Sequence, residues 1–482
     1  MARIEVPEWI PRVGMAGEAE LPALGEQPVV SPYDRDEIAR VAVSGEDAVD
    51  AAVDVARAAM GTAPIAAERA RVLDRAAGIV EERAEVLARI IAGEAGKPIR
   101  QARGEVARCA DTLRFSGAVA RTLSGEVIPM DAADSGAGLM GYTVREPIGP
   151  IAAITPFNFP LNLVAHKLGP AAAVGAPVVL KPAGKAPLSG LALAAILREA
   201  GLPPGMLGWV LGDGVAGEPL TAHPDVAMVS FTGSSAVGWA IRRARPDIRV
   251  ALELGNATPV IVHGDADITL AARAIAGSAF MHAGQSCISV QRMLVQREVH
   301  DALIDALLPL VDALVVGDPL DEATDVGPVI DSASADRVVE WVGEAAGLGA
   351  RVLRGGERLP GGPTMVAPTV LDGVAPVARV MRDEVFGPVI ACCVYDRVED
   401  AIAIANDSPL GLHAGIFTAR TDLAASWARS LRFGGVVINE TPTFRADHMP
   451  YGGVRGSGDA REGPAAAALE MTTPKLVITR IP

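Results

Sequence analysis

Two successive mainly parallel sheets, each covered by helices, make up the α/β fold that this sequence predicts. Three observations predict it. From Gly149 onward, apolar runs of strand length alternate with helical segments; that alternation occurs twice over; and 482 residues are too many for one compact core. The runs are almost continuously apolar rather than alternating with polar residues. That is the pattern of strands buried on both faces of a parallel sheet.

The elements follow in chain order. After an irregular arm, Ser44 with Asp47 three residues on predicts a capping box. Val49, Ala52, Val53, Ala56 and Met60 then recur at helical spacing until Gly61. A second helix is expected from Ala66 to about Ala92, with Val72, Leu73, Ala76, Ile79 and Val80 on one face. A third, from about Pro98 to Thr122, carries Arg103, Arg108 and Arg114, which as helical arginines read first as solvated surface. Leu123 to Val144 reads as a hairpin. Five strands are then expected at Ile151–Thr155, Pro177–Lys181, Trp209–Gly212, Ala227–Phe231 and Val250–Leu254. A second set falls at Pro259–Val262, Arg292–Gln296, about Val389–Val394, His413–Thr418 and Gly435–Asn439, with a helix from Ala302 to Val315 between. Thr472 to Ile481 is strand-like. Strands outside both sheets predict contacts between copies, and hence a homodimer or homotetramer.

The net charge of −15 disfavours nucleic acid and anionic membranes as partners. The start MARIEVPEWIPRV lacks the basic and apolar regions of a signal peptide, and the apolar run Leu168 to Leu180 is too short and too broken to span a bilayer. Cys109, Cys287, Cys392 and Cys393 show no metal-ligand spacing. No metal is expected, and the reading is of a reducing, cytoplasmic setting.

Ligands bind such sheets at the carboxyl ends of the strands, so the residues there carry the chemistry. Thr155 leads into PFNFP, setting the Asn158 amide as a donor for a developing oxyanion. Lys181 follows an apolar strand, within reach of a ribose or phosphate. TGSSAVG after Phe231 is a strand-to-helix turn in which Gly233 and Ser234 admit a phosphate at a helix N-terminus. Glu253 ends another strand, where a carboxylate is either paired or kept for acid–base work. Cys287 in FMHAGQSCISVQR is by itself most simply a core thiol. The other strand ends reverse that reading.

Taken together, EPIGPIAAITPFNFP (Glu146–Pro160), LKPA (Leu180–Ala183), SFTGSSAVG (Ser230–Gly238), LELG (Leu252–Gly255), AGQSC (Ala283–Cys287), EVFGPV (Glu384–Val389) and PYGGVRGSG (Pro450–Gly458) resemble the aldehyde dehydrogenase superfamily over nearly the whole chain. The resemblance implies that family's fold: a Rossmann-like cofactor domain (1–122 and 147–254), an α/β catalytic domain (255–450) and oligomerisation strands (123–146 and 465–482). It also implies the mechanism. Cys287 attacks the aldehyde, Asn158 and the Cys287 N–H hold the oxyanion, a nicotinamide takes the hydride, and Glu253 activates the water that hydrolyses the thioester. Lys167 matches a family lysine near the catalytic centre, and Glu462 a carboxylate assigned to proton relay.

For the cofactor, the resemblance implies that Thr155, Pro156, Phe157 and Leu254 line its site, that Lys181 binds the adenosine ribose, that Gly233 and Ser234 bind the pyrophosphate, and that Glu384 and Phe386 hold the nicotinamide half. NAD-preferring members carry a glutamate three residues after the lysine. Here that position is Gly184, followed by Lys185, so the expectation leans to NADP with NAD also accepted. Two departures stand out: Asn256 where a second glycine is common, and Phe157 in place of a frequent tryptophan.

Alignment outward from the motifs puts Arg108, Asn162, His166, Ser286 and Arg445 at the aldehyde entrance. Two fixed positive charges there suit a short aldehyde with an acid, phosphate, phosphonate or hydroxyl at its far end. Ser286 stands where non-phosphorylating glyceraldehyde-3-phosphate dehydrogenases and phosphonoacetaldehyde dehydrogenases tend to carry a further arginine. Competing readings are a coenzyme-A-acylating relative, against which Glu253 argues, and a non-catalytic relative, against which Cys287, Glu253 and Asn158 argue together.

Overall fold

The computed structural model describes residues 4–480; the expected domain limits at residues 1 and 482, the first three residues of the N-terminal stretch and the Ile481 end of the tail strand lie outside them. Two seven-stranded sheets organise the chain. In the first, Arg249–Glu253, Met228–Thr232, Ile151–Ile154, Val178–Lys181 and Leu207–Trp209 lie side by side, all parallel. Strand order runs one way from Ile151–Ile154 and the other way from Met228–Thr232, so the topological switch lies between these two neighbours. The ends that meet there, Thr155 and Gly233, open the crevice where ligands bind in such sheets.

The second sheet orders Arg351–Arg354, Thr369–Asp372, Val389–Tyr395, Arg292–Gln296, Pro259–Val262, His413–Phe417 and Gly435–Ile438. Only Arg351–Arg354 is antiparallel to its neighbour. A third sheet pairs Thr472–Arg480 and Val127–Ile128 with Leu139–Pro147. Its exposed apolar residues include Val127, Met140, Leu476 and Ile478.

Several expectations are corrected. The arm is not irregular: Ala23–Val30 pairs with Glu37–Ser44, and Met15–Ala16 extends the first sheet at Trp209. Ser44 is not a cap. Its hydroxyl accepts the Leu211 N–H at 3.0 Å, fastening the hairpin to the loop after Leu207–Trp209, and Gly45 precedes the helix Glu46–Ala58 without a side-chain cap. The second helix breaks at Arg83 into Ala66–Glu82 and Ala84–Ala95. No glycine or proline marks the break; Arg83 turns outward to pair with Glu199 and to cover the Trp9 ring. The strand expected over Trp209–Gly212 runs instead from Leu207 to Trp209, with a last ladder bond from the Val210 N–H to the Leu180 carbonyl at 3.0 Å.

Two buried carboxylates hold helices that the site depends on. Glu105 accepts the N–H groups of Leu161 and Asn162 at the start of the helix Asn162–Val174, and pairs with buried Lys97. Glu94 does the same for Leu188 and Ser189. Each places a carboxylate at the positive end of a helix. Among the described residues no helix is long and apolar enough to cross a membrane.

Candidate active site

The catalytic loop begins where the helix Ile268–Ala279 ends. His282, Ala283 and Gly284 all have positive φ, at 49°, 53° and 71°. Two non-glycine residues in that region cost about 1–2 kcal/mol each, so neighbours must hold them there. Gln101 accepts the His282 N–H at 2.8 Å. The buried Gln285 amide donates to the carbonyls of His282 and Pro328 and accepts the Ile330 N–H. Glycine is required at 284, since a Cβ there would meet the Gly387 carbonyl oxygen at 2.1 Å. The loop delivers Cys287 to a cavity of about 420 Å³ between the two large sheets.

That cavity brings together Cys287, Glu253, Asn158 and Glu462, and with them Pro156, Phe157, Lys185, Gly233, Ser234, Leu254, Glu384, Phe386, Arg108, Asn162, Ser286 and Arg445. Thr155, Lys181 and Gly184 stand outside its wall, Lys181 and Gly184 on the flank toward Asp213. His166 and Lys167 lie behind it, in a small adjoining void that shares Glu253 and Glu462.

One N–H of the Asn158 amide donates to the Gln285 carbonyl at 2.9 Å, which ties the switch-point strand to the cysteine loop. Its second N–H has no hydrogen-bond partner among the described residues. Both carboxylate oxygens of Glu253 are buried without a partner. Burial, then the nearby Glu462 charge, raises its pKa well above the carboxylate range, against the pull of Lys167 and Arg445. Burial also pushes the Cys287 thiol up to about 12. Lys167 donates to Ser230 Oγ at 3.0 Å, and burial lowers its pKa.

At Glu462 burial would act upward, but Arg445, His166 and Lys167 outweigh it and hold the carboxyl at about 2. Its 2.6 Å ion pair with Arg445 is the main support of that charge. The two fixed positive charges expected at the entrance both have carboxylate partners. Arg108 makes a two-point contact with Asp447 at 2.8 and 3.1 Å, and Arg445 is paired with Glu462. Asp447 gathers Asn162 and His166 as well, each at 3.0 Å. Arg445 nonetheless lines the cavity, although its side chain is nearly buried.

The nucleotide side departs from expectation at one point. Position 184 is not free of negative charge, because Asp213, after the strand Leu207–Trp209, accepts the Gly184 N–H at 3.0 Å and lies 3.8 Å from Lys181 Nζ. A Cβ at 184 would strike that carboxylate at 2.4 Å. Lys185 is paired with Asp331. The helix Ser235–Ala244 has Ser234 as its N-cap with no side-chain cap bond, so its first N–H groups are open to an anion. Glu384, raised to about 7 by burial, accepts the Asn256 N–H, and a Cβ at Gly255 would meet it at 2.2 Å.

Asn256 does not distort the turn after Glu253. Its amide donates to Thr258 and to the His413 carbonyl and accepts the Leu412 N–H, joining that turn to the second sheet. Phe157 meets Phe386 edge-on at 5.9 Å. Sequence reasoning missed Asp447, Asp213 and Tyr451. The signal for Asp447 and Tyr451 was proximity to Arg445 and to the PYGG motif; for Asp213, distant in sequence from Gly184, there was none.

The aldehyde dehydrogenase family model matches residues 22–477. The chain is 44% identical over 454 residues to 3-sulfolactaldehyde dehydrogenase of Priestia aryabhattai, covering 94% of each chain. It is 39% identical to the lactaldehyde dehydrogenase of Methanocaldococcus jannaschii, over 93% of this chain and 96% of that one. Among solved structures, glyceraldehyde-3-phosphate dehydrogenase GapN from Methanocaldococcus jannaschii, complexed with NADP, superposes with a TM-score of 0.90 at 39% identity, over 94% and 99% of the two chains. Aldehyde dehydrogenase 21 from Physcomitrella patens, in complex with the reaction product succinate, does so at 0.93 and 34%, over 97% and 98%. The chain belongs to the aldehyde dehydrogenase family and is an NAD(P)-dependent oxidoreductase of aldehydes.

Proposed function

We propose that the protein oxidises a short aldehyde with a hydroxyl or an anionic group at its far end to the carboxylic acid. The observation that carries this is the pair of arginines, Arg108 and Arg445, in the wall of the same cavity as Cys287, Asn158 and Glu253. The Cys287 thiolate adds to the aldehyde carbon, and the carbonyl π pair moves to oxygen, where the second Asn158 N–H and the Cys287 N–H receive it. NAD or NADP, when bound, supplies the hydride acceptor; Gly233, Ser234 and the uncapped helix behind them would hold its phosphates, and Glu384 and Phe386 its nicotinamide half. Glu253 then takes a proton from water as that water adds to the thioester carbon; the C–S bond breaks and its pair returns to sulfur. Relatives that act on sulfolactaldehyde and lactaldehyde, and one bound to succinate, support a polar or anionic far end.

A panel of short aldehydes matched in length tests this. Members with a terminal carboxylate, sulfonate or phosphate, or a 2-hydroxyl, are expected to exceed the unsubstituted alkanal in kcat/KM by about tenfold to a hundredfold, the range of one or two charge-assisted hydrogen bonds. Equal values across the panel would sink the substrate assignment.

The lean toward NADP rested on an uncharged position 184 and a free Lys185. With Asp213 beside Lys181 and Lys185 paired, we infer that the carboxylate accepts a ribose hydroxyl and opposes a 2′-phosphate, so that NAD is used at least as well as NADP. Asp213→Asn is expected to raise the NADP-to-NAD ratio of kcat/KM by about tenfold, about 1.4 kcal/mol of relieved repulsion. An unchanged ratio would leave Asp213 without this role. Exposed apolar residues on both faces of the three-stranded sheet, Val127 and Met140 on one and Leu476 and Ile478 on the other, support a homo-oligomer, and four thiols without a disulfide support a reducing, cytoplasmic setting.

A further inference from the structure

The sulfur of Cys287 has one hydrogen-bonding neighbour among the described residues, the hydroxyl of Tyr451 at 2.9 Å. On the other side from the cavity it packs against an apolar cluster of Ile288, Leu412 and the Tyr451 ring, which Met449 also flanks. An apolar nest suits a thiol and opposes a thiolate, yet the thiolate is the nucleophile. Tyr451 is 2% exposed, and its orientation is fixed on every side. The Arg445 guanidinium lies 4.0 Å from the ring centroid and the His413 ring 4.7 Å from it, while the backbone exchanges two hydrogen bonds with Glu462. A residue held so firmly, with its one polar atom against the nucleophile, is placed for more than packing.

We propose that the Tyr451 hydroxyl is a catalytic hydrogen-bond donor to the Cys287 sulfur, stabilising the thiolate before it attacks and again when it leaves. This rests on the reading of Cys287 as nucleophile. When the thiolate attacks, a sulfur lone pair forms the S–C bond and the hydrogen bond is surrendered. When water has added to the thioester carbon, the C–S bond breaks, its pair returns to sulfur, and the Tyr451 O–H receives that charge. Tyr451 keeps its own proton throughout, as its burial, with the adjacent Cys287 charge, demands. The other charges facing the sulfur are divided: Glu384 and Glu462 oppose the thiolate, and Arg445 favours it. His413, behind the ring, is neutral, brought down to about 4 by burial.

The test is alkylation of Cys287 by iodoacetamide across pH 6–10, with neither aldehyde nor cofactor present. Tyr451→Phe keeps the ring between Arg445 and His413 and removes only the donor. Throughout that range its inactivation is expected to be about tenfold to a hundredfold slower at each pH, since a hydrogen bond to a charged group has that effect. Superimposable rates would overturn the proposal. So would faster alkylation, which would mean that the thiol donates to tyrosine. Should the phenylalanine variant fail to fold, fluorotyrosine at position 451 gives the same answer: its more acidic hydroxyl must speed alkylation, and an unchanged rate would overturn the proposal. The assay is independent of turnover. A flat result removes Tyr451 and leaves aldehyde oxidation standing, whereas failure of every aldehyde removes the proposed function and leaves the alkylation profile intact.

Discussion

Glu253→Gln is expected to release about one equivalent of reduced cofactor per active site in a fast burst and then to turn over about 10² to 10⁴ times more slowly than the wild type, the usual contribution of a general base. The geometry makes this a clean substitution. Both Glu253 oxygens lack partners, so the amide breaks no hydrogen bond and strands no donor that the acid was serving. Attack and hydride loss use Cys287 and Asn158, which are untouched, so acylation proceeds and the thioester accumulates. The pH dependence is a second mark. Burial holds Glu253 protonated to well above the ordinary carboxylate range, so the wild-type deacylation rate must climb with pH as the carboxyl ionises; in the variant that limb disappears. Stopped-flow absorbance at the nicotinamide band measures both. A steady-state rate equal to that of the wild type would show that another group activates the water.

The sequence made the strand ends legible because period and chemistry agree there. Continuous apolar runs marked the strands of both sheets, and a polar residue directly after such a run has few structural reasons to exist. Thr155, Lys181 and Glu253 were all found this way, and of the three Glu253 lines the cavity itself. What stayed hidden was pairing across long sequence separations. Nothing in the local pattern links Arg108 to Asp447, 339 residues away, or Gly184 to Asp213 in the loop after the next strand. The carboxylate partners of the entrance arginines, and the one beside position 184, therefore stayed out of sight. Elements that owe their form to tertiary contacts failed in the same manner. Ser44 has the side chain of a cap but spends it on Leu211, and the Arg83 break has no breaker in the sequence. The left-handed turn at His282 and Ala283 defies local preference altogether and stands only because Gln101 and Gln285 hold it. Local rules were overridden most strongly beside the nucleophile, where function tolerates strain.

Arg445→Met is expected to lose about 3–5 kcal/mol of stability at pH 7, because it leaves Glu462 as a buried charge without its main counter-ion. The stem of methionine fills much of the same space over the Tyr451 ring, so the loss reports charge rather than a cavity. The pH dependence follows from the Glu462 shift. Its folded pKa, about 2, is below the ordinary 4.5 of an unfolded chain, so in the wild type it contributes stability that is fully present above about 4.5 and is lost as pH falls toward 2. In the variant the burial cost is no longer outweighed and the folded pKa climbs, so that contribution shrinks or reverses sign. The gap in denaturation midpoint between the two proteins should thus be widest near neutrality and narrow below about pH 4.5. The double variant Arg445→Met with Glu462→Gln separates charge from shape: removing the stranded carboxylate should recover most of the loss, as expected when a buried pair is replaced as a whole. If the double variant were as unstable as the single one, the ion pair with Glu462 would not be what Arg445 contributes to the fold.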